Sequence, residues 1–374
     1  MGPVMKHGRS TWDRAVLPFD EFEERRLAVE RAAEAMGAVG VVGFEDSHHS
    51  GLVGYLSNYL TAGAPATLIC VPGVELTLVA GLGGGRDHPF IKGMTFVQDV
   101  RWFPQLGVGI AAVLEEHGVT EGRVALAGFN ECFNRTQADG LLTALGGYEI
   151  VPFDDALAGM RRNKRERELG VMRLSRAILE QARTAFLTSL EETGEVHDAL
   201  VVAERTAKLS GCRDFRALAL AQDGSLRPWP DGRDGSTSWS RDPVTIYLAA
   251  EYLGYWADIG FSWPEQGATA SLCAQVLEVV PAALRAGSSG ASLRAALSEA
   301  LGTAADRVTL EATGMGLSLV EAPLLSDDAA ALARGGDLIC LRVWAQDGRA
   351  LSVATSAVLV EEGRCTPLDD AQPA

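Results

Sequence analysis

At 374 residues the chain is longer than one hydrophobic core usually organises, so two domains are expected. Its 47% hydrophobic and 22% charged residues, with seven Trp, exclude a disordered, collagenous or disulfide-stapled chain. A formal charge of −16 leaves no positive footprint for phosphate backbones or anionic lipid, so neither nucleic acid nor a membrane surface is an expected partner.

Residues 1–19 read as a polar leader, broken by charges and lacking the apolar run of a signal peptide. Asp20–Met36 has helical charge spacing and stops at Gly37, and Val39–Phe44 follows as a buried strand. Ala66–Val71 and Leu76–Ala80 read as strands joined by a turn at Pro72 and Gly73, Ile110–His117 as a helix and Val124–Leu126 as another strand. Gly83–Gly85 read as a turn, because the spacing and following helix of a phosphate loop are missing. Residues 20–157 thus describe a small α/β domain.

The basic segment Arg161–Arg167 marks the passage into a second domain, 158–374. A long helical pattern through Leu190 carries apolar residues at Leu169, Met172, Leu174, Ile178, Leu179, Ala182 and Phe186, and Thr193 and Gly194 stop it. A second helix is expected from Val196 to Leu209. Strands are expected at Phe215–Ala221, Val244–Ala250 and Tyr255–Ile259, helices at Ala274–Arg285 and Ser292–Leu301, and closing strands at Leu338–Trp344 and Val353–Val360. Helices followed by antiparallel strands with helices between them make an α+β pattern.

Absences narrow the chemistry. No His follows His197 and no Lys follows Lys208, so the rest of the chain offers neither an imidazole nor an amine. The six cysteines are widely spaced with no C-x-x-C pair, which fits reduced, mostly buried thiols better than a zinc site or disulfide framework. No stretch reaches the roughly 18 uninterrupted apolar residues of a membrane span. A cytoplasmic protein is expected.

A family resemblance rests on ordered segments. A basic linker, a long helix, Thr193-Gly194-Glu195 and a second helix are followed by VTIYLAAEYLGYWADIG (Val244–Gly260), ATGMGLSLVEAP (Ala312–Pro323), GGDLICLRV (Gly335–Val343) and SVATSAVLVEEG (Ser352–Gly363). This order resembles the pita-bread superfamily of aminopeptidase P, prolidase and creatinase, and YLSNYLTAG (Tyr55–Gly63) resembles the N-terminal domain of those proteins. The resemblance implies an α+β fold, with a C-terminal pita-bread domain preceded by a smaller creatinase-type N-terminal α/β domain, and a homodimer.

Metallopeptidases of that superfamily hold two divalent metals with two Asp, one His and two Glu. The resemblance places these ligands at Tyr247, Asp258, Thr313, Arg342 and Thr355, so that only Asp258 keeps a ligand type. A second His of the family, before its E-x-P motif, falls on Val320, and the His of its p-H-g segment falls on Trp229 in RPWP. Two hard cations need several carboxylates. A guanidinium about 4 Å away repels each unit of cationic charge by roughly 4 kcal/mol at an effective dielectric near 20. No metal and no other cofactor is expected.

Two readings of such a site stay open. In one, the chain is a metal-independent enzyme acting on a small carboxylate-bearing substrate, by C–N bond hydrolysis or a related non-peptidase reaction. Asp258 and Glu321 then handle protons, Arg342 and Arg227 hold an anion, Trp229 and Tyr247 shape the pocket, and Thr313 and Thr355 donate hydrogen bonds. His48 and His49 would come from the other subunit, as resemblance to creatinase-like dimers implies. Cys340 alternates with Arg342 along a strand, which would put a thiol beside the guanidinium and lower its pKa. In the other reading the chain is an inactive pseudo-peptidase binding a small molecule, peptide or protein. Asp258 then pairs with Arg342, Glu321 makes a cap or salt bridge, Cys340 is buried for packing, and the rings and threonines fill space. An Xaa-Pro metallohydrolase remains only if the correspondence of positions is misplaced.

Overall fold

The computed structural model describes residues 12–61, 65–81, 84–230, 238–241, 243–325 and 330–369. The chain divides into two compact units, residues 1–161 (unit 1) and 162–374 (unit 2). Gly83 of the predicted turn and residues 1–11 of the predicted leader lie outside the described residues. Within residues 12–18 the Trp12 ring lies 6.3 Å from Phe22 and 5.5 Å from Phe96 and Leu17 is buried, while Arg14 and Ala15 are exposed.

In unit 1, α1 (Phe19–Ala35) leads into β1 (Ala38–Glu45), α2 (Leu52–Ser57), β2 (Ala66–Cys70), β3 (Thr77–Val79), α3 (His88–Ile91) and β4 (Asp99–Arg101). Then follow α4 (Leu106–Glu116), β5 (Gly122–Ala127), α5 (Phe129–Cys132), α6 (Arg135–Ala144), β6 (Tyr148–Pro152) and α7 (Asp154–Arg162). The strands form one sheet in the order β4-β3-β2-β1-β5-β6. β1 runs antiparallel to β2 on one side and parallel to β5 on the other, with Val42 opposite Leu126 and Gly43 opposite Ala127. Val42, Phe44, Ile69 and Leu126 bury one face of this sheet against Ile110, Leu114 and Leu141 of the helices.

In unit 2, α8 (Glu166–Thr193) and α9 (Val196–Leu209) precede β7 (Asp214–Leu220), β8 (Leu226–Trp229), β9 (Val244–Tyr252) and β10 (Tyr255–Trp263). α10 (Ala268–Ala283) and α11 (Gly290–Leu301) precede β11 (Val308–Gly314), β12 (Glu321–Leu324), β13 (Leu338–Asp347), β14 (Ala350–Val360) and β15 (Cys365–Pro367). α8 buries the predicted apolar stripe except Leu174, which is exposed, and ends at Gly194 in the left-handed conformation, φ 69°, that glycine adopts without penalty. The strands form two antiparallel sheets, β10-β9-β7-β8 and β12-β11-β13-β14-β15.

Strand alternation decides what each face carries. Ile259 and Phe261 of β10 are buried, and the Phe261 ring meets Phe186 of α8 at 5.6 Å. The alternate residues Asp258, Gly260 and Ser262, with Tyr247 and Thr245 of β9, therefore turn away from α8 toward the second sheet. There β10 crosses β14 closely. A Cβ at Gly260 would lie 2.7 Å from Val353 Cγ2 and 3.1 Å from Thr355 Cγ2, so this position requires glycine. In the second sheet Ile339, Leu341, Val343 and Ala345 pack against Leu272, Val276 and Leu293 of the helices, which leaves Cys340 and Arg342 on the opposite face.

Candidate functional site

The residues at all five positions where the resemblance places metal ligands meet at this crossing of sheets. Arg342 on β13 lies opposite Glu311 on β11 and Thr355 on β14, and Thr313 lies opposite Cys340. Tyr247 Oη donates to Asp258 Oδ2 at 3.0 Å, and Arg342 Nε donates to the same carboxylate oxygen and to Tyr247 Oη at 3.2 Å. Arg342 Nη1 donates to Thr313 Oγ1 at 3.0 Å and lies 4.0 Å from Glu311 Oε2. Arg342 Nη2 donates to the Leu319 carbonyl at 2.9 Å and sits 4.0 Å from Met315 Sδ. Thr355 Oγ1 accepts the Gly260 amide at 3.0 Å. Trp344 closes the group, its ring 5.8 Å from Tyr247.

The electrostatics follow from burial, since Asp258 and Arg342 are only 2% and 3% exposed. Burial alone would weaken the guanidinium's hold on its proton, but the Asp258 carboxylate more than offsets it and Arg342 stays charged. Burial, then the Asp258 charge, pushes the Tyr247 phenol far above its ordinary range, so it acts as a donor. The same two causes raise the Cys340 thiol. Of the two readings of Cys340 the buried one fits: its Sγ lies 3.6 Å from Met315 Sδ, and burial outweighs the nearby guanidinium.

Arg342 pairs with Asp258, as the second of the two readings has it, and each of its three guanidinium nitrogens has a partner inside the protein. Thr313 and Thr355 spend their hydroxyls within the cluster. The described cavity that Asp258 lines measures about 40 Å³, room for a few waters, whereas ligand pockets run to several hundred.

Glu321 stands apart from Asp258's bonds. Its carboxylate is held by Lys164 Nζ, both side chains being buried, so the anticipated salt bridge is present and its partner is a lysine absent from the sequence-level site. Arg227 and Trp229 lie on β8, where Pro228 opposes Leu218 and Leu218 opposes Tyr247. Their side chains therefore take the face opposite to Tyr247. Trp229 Nε1 donates to His197 Nδ1 on α9 at 3.1 Å, and Arg227 pairs with Asp223. Strand parity thus removes both from a shared pocket with Asp258. Val320, where the resemblance places a second His, is 50% exposed. His48 and His49 sit in unit 1 in the loop after β1, with His49 Nδ1 3.0 Å from Asp46 Oδ1.

A pair of divalent cations does not fit this donor set. The five positions offer one carboxylate, and the others contribute hydroxyls and a permanent cation held on that carboxylate.

No protein-family model matches the sequence, and no curated protein gives a significant match. Solved structures do. The X-Pro aminopeptidase from Thermotoga maritima is similar at TM-score 0.75 and 16% identity, over 94% of this chain and 98% of that one. The prolidase from Pyrococcus horikoshii is similar at TM-score 0.71 and 16% identity, over 93% and 99%. The dipeptidase PepE from Mycobacterium ulcerans is similar at TM-score 0.68 and 18% identity, over 97% and 98%. The chain has the pita-bread fold of these proteins over nearly its whole length. No described helix is long and apolar enough to cross a membrane.

Proposed function

We propose that this chain is a pita-bread pseudo-peptidase, a scaffold that binds a small molecule, peptide or protein and does not hydrolyse peptides. One observation carries the proposal: the guanidinium of Arg342 sits on the Asp258 carboxylate, with each of its nitrogens partnered internally. A metal-independent enzyme would need Arg342 to reach a substrate and Asp258 and Glu321 to exchange protons with it. Both carboxylates are instead held by Arg342 and Lys164. A buried ion pair whose remaining groups are hydrogen-bonded is a structural element, since its desolvation is compensated only while all partners stay in place. A cytoplasmic homodimer belongs to the same proposal, and sedimentation velocity tests the dimer.

The proposal is tested by incubating the protein with Xaa-Pro dipeptides and longer X-Pro peptides, with and without Mn²⁺, Co²⁺ or Zn²⁺. No turnover above the protein-free blank is expected. Turnover that Asp258→Asn abolishes overturns it.

A further inference from the structure

We infer that unit 1 carries a metal site of its own, in which Asp46, His49 and Cys132 hold a single zinc-class divalent ion. The three come together through topology. β1 and β5 are parallel neighbours in register, so their carboxyl ends open at the same edge of the sheet. Asp46 and His49 lie in the loop leaving β1, and Cys132 ends α5, which begins just after β5. β1's other neighbour, β2, is antiparallel and on the opposite side. In open α/β sheets the crevice at strand carboxyl ends, where connections diverge to either side, is the usual place for a ligand.

The side-chain geometry is that of a site before it closes. One ligand atom from each of Asp46, His49 and Cys132 lies within 4.8 Å of the other two, and Asp46 Oδ1 is 3.0 Å from His49 Nδ1. A tetrahedral ion with bonds of about 2.0–2.3 Å sets its ligand atoms roughly 3.3–3.8 Å apart, so small shifts of the three side chains complete the set, the ion replacing the Asp46–His49 contact. One carboxylate, one imidazole and one thiolate suit zinc, whereas magnesium and calcium take oxygen ligands.

The supporting shell is already built. Asp46 Oδ1 accepts the amides of His48 at 2.7 Å and His49 at 2.8 Å, and Thr61 Oγ1 donates to the Asp46 carbonyl at 2.6 Å. Buried Glu45 anchors the far end of the loop through the amides of Gly51 at 2.8 Å and Gly54 at 2.9 Å. Phe44, Phe129 and Phe133 pack against one another, edge-on or tilted, around the strand ends from which these ligands spring. His49 is 44% exposed, which provides an entry path and leaves a fourth position to water. Binding one ion forms a metal–thiolate bond at Cys132 and releases the thiol proton to solvent.

The test is a Co²⁺ titration of the full-length, untagged, reduced protein, followed by competition with Zn²⁺. One equivalent should produce a near-ultraviolet thiolate-to-cobalt charge-transfer band that Zn²⁺ abolishes. Cys132→Ser, a nearly isosteric change, should lose the band, and His49→Gln, at a half-exposed position, should weaken binding at least tenfold, circular dichroism of both matching the parent. Absence of the band in the parent, or a band unchanged in Cys132→Ser, overturns the inference. None of these residues belongs to the Asp258 cluster, so failure here leaves the pseudo-peptidase proposal standing, and the reverse.

Discussion

Two groups of ligand-type side chains in this molecule differ in what neutralises them. In unit 2 the Asp258 carboxylate is buried and faces a guanidinium supplied by the chain; the Tyr247 phenol also donates to the carboxylate, and the Thr313 hydroxyl and the Leu319 carbonyl accept from the guanidinium. In unit 1 Asp46, His49 and Cys132 converge at a partly exposed strand end where, among the described residues, no ion pair with Lys or Arg is formed by Asp46. The contrast teaches that ligand chemistry counts only where the protein has not provided its own cation.

The largest expected effect comes from unbalancing the filled site. Arg342→Met leaves Asp258 buried and unpaired, and chemical denaturation should show a loss of about 3–5 kcal/mol. The double variant Arg342→Met/Asp258→Asn should recover a large part of it; a single-variant loss below about 1 kcal/mol would mean that the pair does not hold the sheets together. Next comes the open site: Zn²⁺ at a hundred times its dissociation constant should stabilise unit 1 by about 2.7 kcal/mol, read as a raised melting transition that Cys132→Ser does not show. Gly260→Ala should cost about 1–3 kcal/mol by forcing a methyl against Val353 and Thr355. A neutral outcome would show that the crossing of β10 and β14 is looser than its contacts indicate.

The smallest effect is a pH dependence in unit 1. Burial pushes the Asp46 carboxyl up, but the amides of His48 and His49 and the His49 ring outweigh it, so its pKa falls below the ordinary range. A carboxyl with a depressed folded-state pKa contributes stability above its unfolded pKa, near 4, and loses it as pH falls further. Asp46→Asn should therefore flatten the acid limb of the metal-free protein's stability curve; an unaltered limb would show that the loop's hydrogen bonds do not depend on the charge.

The fold was legible because its periodicities are strong. The stripe of α8 and the β9–β10 hairpin announce themselves, and the chain shares its fold with solved structures at 16–18% identity. The five positions of the filled site came from the family resemblance and not from periodicity. Their bonding was not legible. The sequence leaves Arg342 open between an anion ligand and a partner of Asp258, and it cannot show the Leu319 carbonyl and Met315 sulfur, which arrive from a loop that carries no periodicity. Trp229 and Arg227 were misplaced because β8 is a four-residue strand containing Pro228, too short to reveal its parity. Lys164 could have been suspected as one of the chain's four lysines, in the basic linker, though nothing local pairs it with Glu321. Asp46, His49 and Cys132 belong to two different strand ends, and only the parallel pairing of β1 with β5 joins them. The available signal was an Asp-x-x-His loop after one strand and a cysteine soon after another.

The central claim is that Arg342 stands in for bound cations at Asp258. Equilibrium dialysis of the Cys132→Ser protein against Mn²⁺, Co²⁺ or Zn²⁺, followed by elemental analysis, tests it without interference from unit 1. The account predicts no ion whose retention depends on Asp258; two ions per chain, both lost in Asp258→Asn/Cys132→Ser, would contradict it.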